Sequence, residues 1–146
     1  PTFPAKCSSM KYGNEILLTC SLEFGNAVFP EFAAFTEKER WDIVSDFFYR
    51  FRSIEGCHRA NLKFPDHPAR FLANFTIYTS PEIFDDFFDG SGENAEKKAA
   101  TEYIKNSKLR VADVMAGRAI IRKFDPRHEE FLAIIGLMFW SLREFR

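Results

Sequence analysis

The chain has 146 residues, 46% of them hydrophobic and 28% charged, with a net charge of −1 and a pI near 6.4. That length is one domain, able to bury roughly 68–70% of its unfolded surface without covalent or metal staples. The balanced charge excludes direct gripping of nucleic acid by these residues, which needs a strong basic excess. Cys7, Cys20 and Cys57 stand alone, with no CxxC pair. Their odd number argues against a disulfide framework and a zinc module, and it fits a reducing compartment. The first residues carry no continuous apolar region of the secretory type, so the sequon at Asn74-Phe75-Thr76 is read as a chance match. The 18 Phe fit a large aromatic core or the walls of an apolar cavity, and composition does not separate the two.

Residues 1–14, with Pro1, Pro4, Ser8, Ser9 and Gly13, read as an irregular lead-in. Glu15 to Val28 carries Ile16, Leu17, Leu18, Leu22, Phe24 and Val28 and predicts a helix broken in its middle by Gly25. Thr36 and Glu39 have the spacing of a capping box. Beyond them Trp41, Val44, Phe48, Phe51 and Ile54 recur at helical spacing, beside a second row of Ile43, Phe47 and Phe51. Two adjoining rows make a face too wide for a surface helix, so this segment is predicted to run between other helices. Asn61 to Asp89 is punctuated by Pro65, Pro68 and Pro81 and holds no long helix. Within it, Arg70 to Thr79 fits a short strand or a short helix, and Pro81 to Phe88 a short helix. After the break Asp89-Gly90-Ser91-Gly92, Glu93 to Phe124 reads as helical, with a bend at Asn106-Ser107 or Gly117. Asp125 is expected to cap a final helix with Pro126 in its first turn. That helix runs Glu130 to Leu142, apolar nearly all round. It falls short of the ~20 residues a bilayer requires and reads as a buried core helix.

The stretch from Phe29 to Arg59 resembles the signature of the nuclear-receptor ligand-binding domain, in its divergent nematode-type branch. Pro30, Phe32 and Phe35 fit the P-x-F-x-x-L part. Glu39 and Arg40 stand where an acid and a Gln or Lys are usual, and His58-Arg59 follow at the place of the family's His-Arg. Glu130 and Trp140 are similarly spaced to the ends of the family's eighth helix. The resemblance covers about Phe24 to Trp140. It implies an all-α antiparallel helical sandwich with one small β-hairpin, which tilts the strand toward Phe75 to Tyr78. It also implies that the zinc-module DNA-binding domain and the later helices lie outside these residues.

The resemblance further implies that Arg59 pairs with the carboxylate of a small lipophilic or fatty-acid-like ligand, with Phe51, Ile54, Phe75 and Tyr78 as pocket walls. Without the resemblance, Arg59 would merely end its helix and face its last carbonyls or water. The family's coregulator groove maps onto Ala27, Val28, Arg40 and Ser45. Its clamp Lys is replaced by Ala27 and the basic residue of the next helix by Ser45, so coactivator peptides are expected to bind weakly.

Catalytic chemistry is not expected. Asp85-Asp86 and Glu129-Glu130 are adjacent pairs that diverge on a helix, and no G-x-S-x-G, phosphate loop or Cys–His motif is present. His58, His67 and His128 lack metal-ligand spacing, and no cofactor is implied. The expectation is one domain over residues 1–146, a non-enzymatic, nuclear, ligand-responsive regulator acting through coregulator or receptor dimer partners, with no membrane contact. A helical protein-interaction module and an apolar-ligand carrier are the alternatives, separated by whether the core is filled or hollow.

Overall fold

The computed structural model describes residues 2–74, 76–83 and 108–141. Among them are helices α1 (Cys7–Val28), α2 (Glu37–Lys63), α3 (Lys108–Phe124) and α4 (His128–Ser141), with strands β1 (Phe3–Pro4), β2 (Phe71–Leu72) and β3 (Ile77–Thr79). Single 3-10 segments occupy Pro30–Ala34 and Pro81–Ile83. The described residues are thus mainly helical, with one small sheet ordered β1-β3-β2. β1 runs parallel to β3 and β2 antiparallel to it.

The lead-in is shorter and more ordered than the sequence suggests. Phe3 donates to the Thr76 carbonyl and Ala5 to the Tyr78 carbonyl, both at 2.8 Å. The partner strand lies more than seventy residues away, so local sequence gives no sign of the pairing. α1 then starts at Cys7 rather than Glu15 and runs unbroken through Gly25. At Gly25 a Cβ would come within 2.7 Å of the Phe139 ring and 2.9 Å of Phe32. The glycine is therefore a packing gap, not a break. α1 ends where extended Phe29 precedes Pro30, which disfavours further helix.

α2 begins as its capping box dictates. Glu39 N–H donates to Thr36 Oγ1 at 3.3 Å, and Thr36 N–H donates to Glu39 Oε2 at 2.8 Å. The helix packs against α1, α3, α4 and β2. Its first half enters an aromatic core of Phe32, Ile43, Val44, Phe47, Phe131, Ile135 and Phe139. Phe139 is the hub, with ring centroids 4.9 Å from Phe47, 5.1 Å from Phe29, and 5.5 Å from Phe24 and Phe32. Val44, Phe47 and Phe48 are buried, while Phe51 and Ile54 are half-buried. Trp41 departs from the expected row, 39% exposed. The buried stripe is centred on Val44, Phe47 and Phe51, and Trp41 lies at its edge.

The second half of α2 meets the hairpin and α3. A Cβ on Gly56 would overlap the Phe71 ring and the Leu72 carbonyl, so only glycine lets β2 approach this closely. α3 contributes Arg118, 1% exposed, whose guanidinium donates to the carbonyls of Ala60 (3.0 Å), Phe64 (2.8 Å), Arg70 (3.2 Å) and His67. Among the described residues no carboxylate pairs with it; the carbonyls at the C-terminal end of α2 meet its charge, as a helix end favours a cation.

Asp125 does not cap the final helix. Its φ of 47° is left-handed and its N–H reaches Ile121 O at 2.8 Å, so it terminates α3. Asp tolerates that conformation, and Pro126 prevents continuation. α4 opens at His128, with Arg127 N–H and Nε both donating to Glu130 Oε1, at 3.3 and 2.6 Å. Phe84 to Phe88, Glu93 to Ser107 and Leu142 lie outside the described residues.

Candidate functional site

A pocket of about 820 Å3 opens where the second half of α2, the β2–β3 hairpin and α3 meet. α2 supplies Arg52, Ile54 and Cys57 to its wall; Phe71 and Ala73 come from the hairpin, Val111, Val114 and Ile121 from α3, and Ile134 from α4. The volume lies within the ~300–1,000 Å3 range of small-molecule sites, and the mostly apolar lining suits a lipophilic occupant. A second cavity, about 20 Å3, sits among Phe29, Phe32, Phe35, Ile43, Phe139 and Trp140. It has room for at most one water molecule, and its walls are almost wholly apolar and offer little to hold one. The aromatic core is therefore filled, and the usable space is on the other side of α2.

Polar groups in the large pocket are few. Arg52 Nη2 donates to Ala73 O at 2.8 Å, and the guanidinium stands 5.5 Å from the Phe48 ring centroid. Arg52 Nε is buried and meets no hydrogen-bond partner among the described residues. Burial lowers the pKa of this guanidinium, with Glu55 and Tyr49 opposing; it stays charged at every accessible pH. Cys57 is a buried free thiol whose pKa burial pushes up, with Arg118 opposing. Such a thiol is inert rather than nucleophilic.

Arg59 is not on the pocket wall. It ion-pairs with Glu55, and Nη2 donates to Asn74 O at 2.6 Å. Burial holds the Glu55 carboxyl above the usual range, while Arg59 and then Arg52 pull it back. Of the other expected wall residues, Ile54 lines the pocket. Phe51 stacks on Phe47 at 5.3 Å and belongs to the aromatic core. Tyr78 faces Phe64 at 5.3 Å and carries the Arg70 guanidinium at 4.8 Å. Phe75 lies outside the described residues. The sequence reading missed Arg52. Its signal was the seven-residue spacing to Arg59, two helical turns, which places both on one face.

In the expected coregulator region, Ala27, Val28 and Ser45 are exposed, and Arg40 is half-buried, its Nε meeting no hydrogen-bond partner among the described residues. His58 stacks on Phe131 at 4.2 Å, a packing role. Among the described residues no group of three His, Cys, Asp or Glu could hold a metal ion, and no helix is long and apolar enough to cross a membrane.

The described residues define a mainly helical domain with an apolar pocket beside a small sheet. No family model, no curated protein and no solved structure matches the chain.

Proposed function

We propose that the chain is the ligand-binding and regulatory domain of a nuclear-receptor-type transcription factor, with its helices arranged as the antiparallel sandwich of that family. The pocket of about 820 Å3 is the observation that carries this reading. The order of elements among the described residues, a long helix, a short turn, a second long helix, a hairpin and two further helices, supports it. So do the residues Pro30, Phe32, Phe35, Glu39 and Arg40 at the joint between the first two helices. A lipophilic ligand in the pocket touches α2, the hairpin and α3 at once. It thereby stabilises one arrangement of these elements over another, and coregulator or dimer partners read that arrangement. The site of action is the nucleus, and DNA contact belongs to residues outside this chain.

The test is titration of the chain with the neutral apolar dye Nile red, followed by displacement with lipophilic small molecules. Saturable binding near one dye per chain is expected, and Val114→Trp, which fills the pocket, abolishes it. An absence of saturable binding sinks the ligand-binding reading. The apolar-ligand carrier shares the pocket and is separated by a partner assay: a regulator changes its affinity for a coregulator or receptor partner when ligand binds, and a carrier does not. An LxxLL peptide is expected to bind more weakly than micromolar, because Ala27 and Ser45 offer its ends no charge.

A further inference from the structure

α4 presents an apolar face that the rest of the described chain leaves open. Leu132 is 55% and Leu137 68% exposed, and Ala133 and Gly136 stand between them. The other helical glycines among the described residues each admit a neighbour: Asn74 at Gly13, the Phe139 ring at Gly25, the Phe71 ring at Gly56 and the Cys57 sulfur at Gly117. Gly136 differs, since a Cβ built there would meet nothing within 4 Å. A glycine inside a helix weakens it relative to alanine, and no contact within the described chain accounts for this one. What it permits is the close approach of another backbone. Leu132, Gly136 and Trp140 form one ridge spaced four apart, and Ala133 and Leu137 form the next. The groove between such ridges is what a second helix packs into.

We propose that two copies of the chain meet on this face, with α4 of one crossing α4 of the other antiparallel at Gly136. The face is nearly self-complementary, as a two-fold contact requires. Leu132 and Trp140 stand four positions to either side of Gly136, so each Leu132 meets the Trp140 of the other copy. Trp140 is half-buried and held against the Phe29 ring at 5.4 Å, which presents it in a fixed place. In the sequence Glu129 stands seven positions before Gly136 and Arg143 seven after it. An antiparallel order therefore turns the acidic end of one α4 toward the basic end of the other, whereas a parallel order sets Glu129 against Glu129. One helix crossing buries less than the ~800 Å2 per partner of a standard interface. The dimer is accordingly weak, with a Kd on the order of 10–100 μM. The inference does not depend on what the pocket binds.

The test is sedimentation equilibrium of the chain from about 5 to 500 μM, which brackets that Kd. A monomer–dimer equilibrium is expected. Gly136→Leu and Leu137→Glu each weaken it at least tenfold. Neither lowers the melting temperature of the dilute chain, because Leu137 is mostly exposed and nothing lies near a Cβ at Gly136. Glu129→Arg also weakens the dimer, and the further change Arg143→Glu restores it. Circular dichroism melts verify that each variant is folded, and the measurement on wild type needs no variant. A monomer at every concentration overturns the proposal. So does a dimer that survives Gly136→Leu and Leu137→Glu, which places the contact on another surface. Association that grows beyond two copies, or a charge exchange that restores nothing, overturns the antiparallel two-fold.

Discussion

Arg118 and Asn61 hold each other in both directions. Arg118 Nε donates to Asn61 Oδ1 at 2.9 Å, and Asn61 Nδ2 donates back to the Arg118 carbonyl at 2.9 Å. The amide thereby fixes the plane of the guanidinium that gathers the end of α2 and the turn leading to the hairpin. Arg118→Ala removes the donors and opens a void, and is expected to cost at least about 3 kcal/mol, since hydrogen bonds from a charged group contribute ~1.5–3 kcal/mol each. Arg118→Lys recovers only part of the loss, because an ammonium lacks the fork. In a double-mutant cycle with Asn61→Ala, urea melts should give a coupling of roughly 0.5–3 kcal/mol; strict additivity would refute the joint role.

Phe47 and Trp41 test the orientation of α2. Phe47 is 2% exposed and Trp41 is 39% exposed. Phe47→Ala should cost roughly 3–5 kcal/mol, as for a fully buried aromatic, and Trp41→Ala less than half of that. Comparable losses at both positions would mean that the buried stripe is centred elsewhere.

Gly56 lies inside a helix, where alanine ordinarily gains about 1 kcal/mol over glycine. Here the sign reverses. The added methyl would overlap Phe71 and the Leu72 carbonyl, and Gly56→Ala is expected to destabilise by roughly 1–3 kcal/mol through overpacking. Thermal melts decide between the two signs.

His58 makes stability depend on pH. Burial against Phe131 lowers its pKa, His128 lowers it further, and Asp125 opposes. The unfolded chain therefore binds the proton more readily than the native one. Stability from this group is fully present above the unfolded value of about 6.5 and is lost as pH falls through the depressed native pKa. His58→Phe keeps an aromatic ring on Phe131 and should flatten the acid side of the stability–pH curve. An unchanged slope between pH 7 and 5 would show that other groups set it.

Features governed by neighbours in sequence were readable. The Thr36–Glu39 box, the Phe-rich face of α2 and the stop at Pro30 each depend on residues within a turn or two. Features governed by distant partners were not. β1 exists because Ile77 and Tyr78 accept a strand, and α1 starts early because that strand delivers the chain to it. Arg52 and Arg59 are equivalent on a helical wheel. Only the placement of the hairpin, which presents the Ala73 carbonyl to one and Asn74 to the other, decides which arginine borders the pocket. Asp125-Pro126 misled because the same dipeptide suits the end of one helix as well as the start of the next.

α2 runs 27 residues as one rod. Its front half is clasped by aromatic rings and its rear half borders the pocket, so no joint insulates the two compartments. Ile43 and Cys57 are fourteen residues apart, about 21 Å along the axis at 1.5 Å per residue. The amides between them are expected to exchange with deuterium chiefly when the clasp and the pocket wall give way together. A single slow exchange class along this stretch is the expected outcome, and an occupant of the pocket is expected to slow the exchange of amides it never touches.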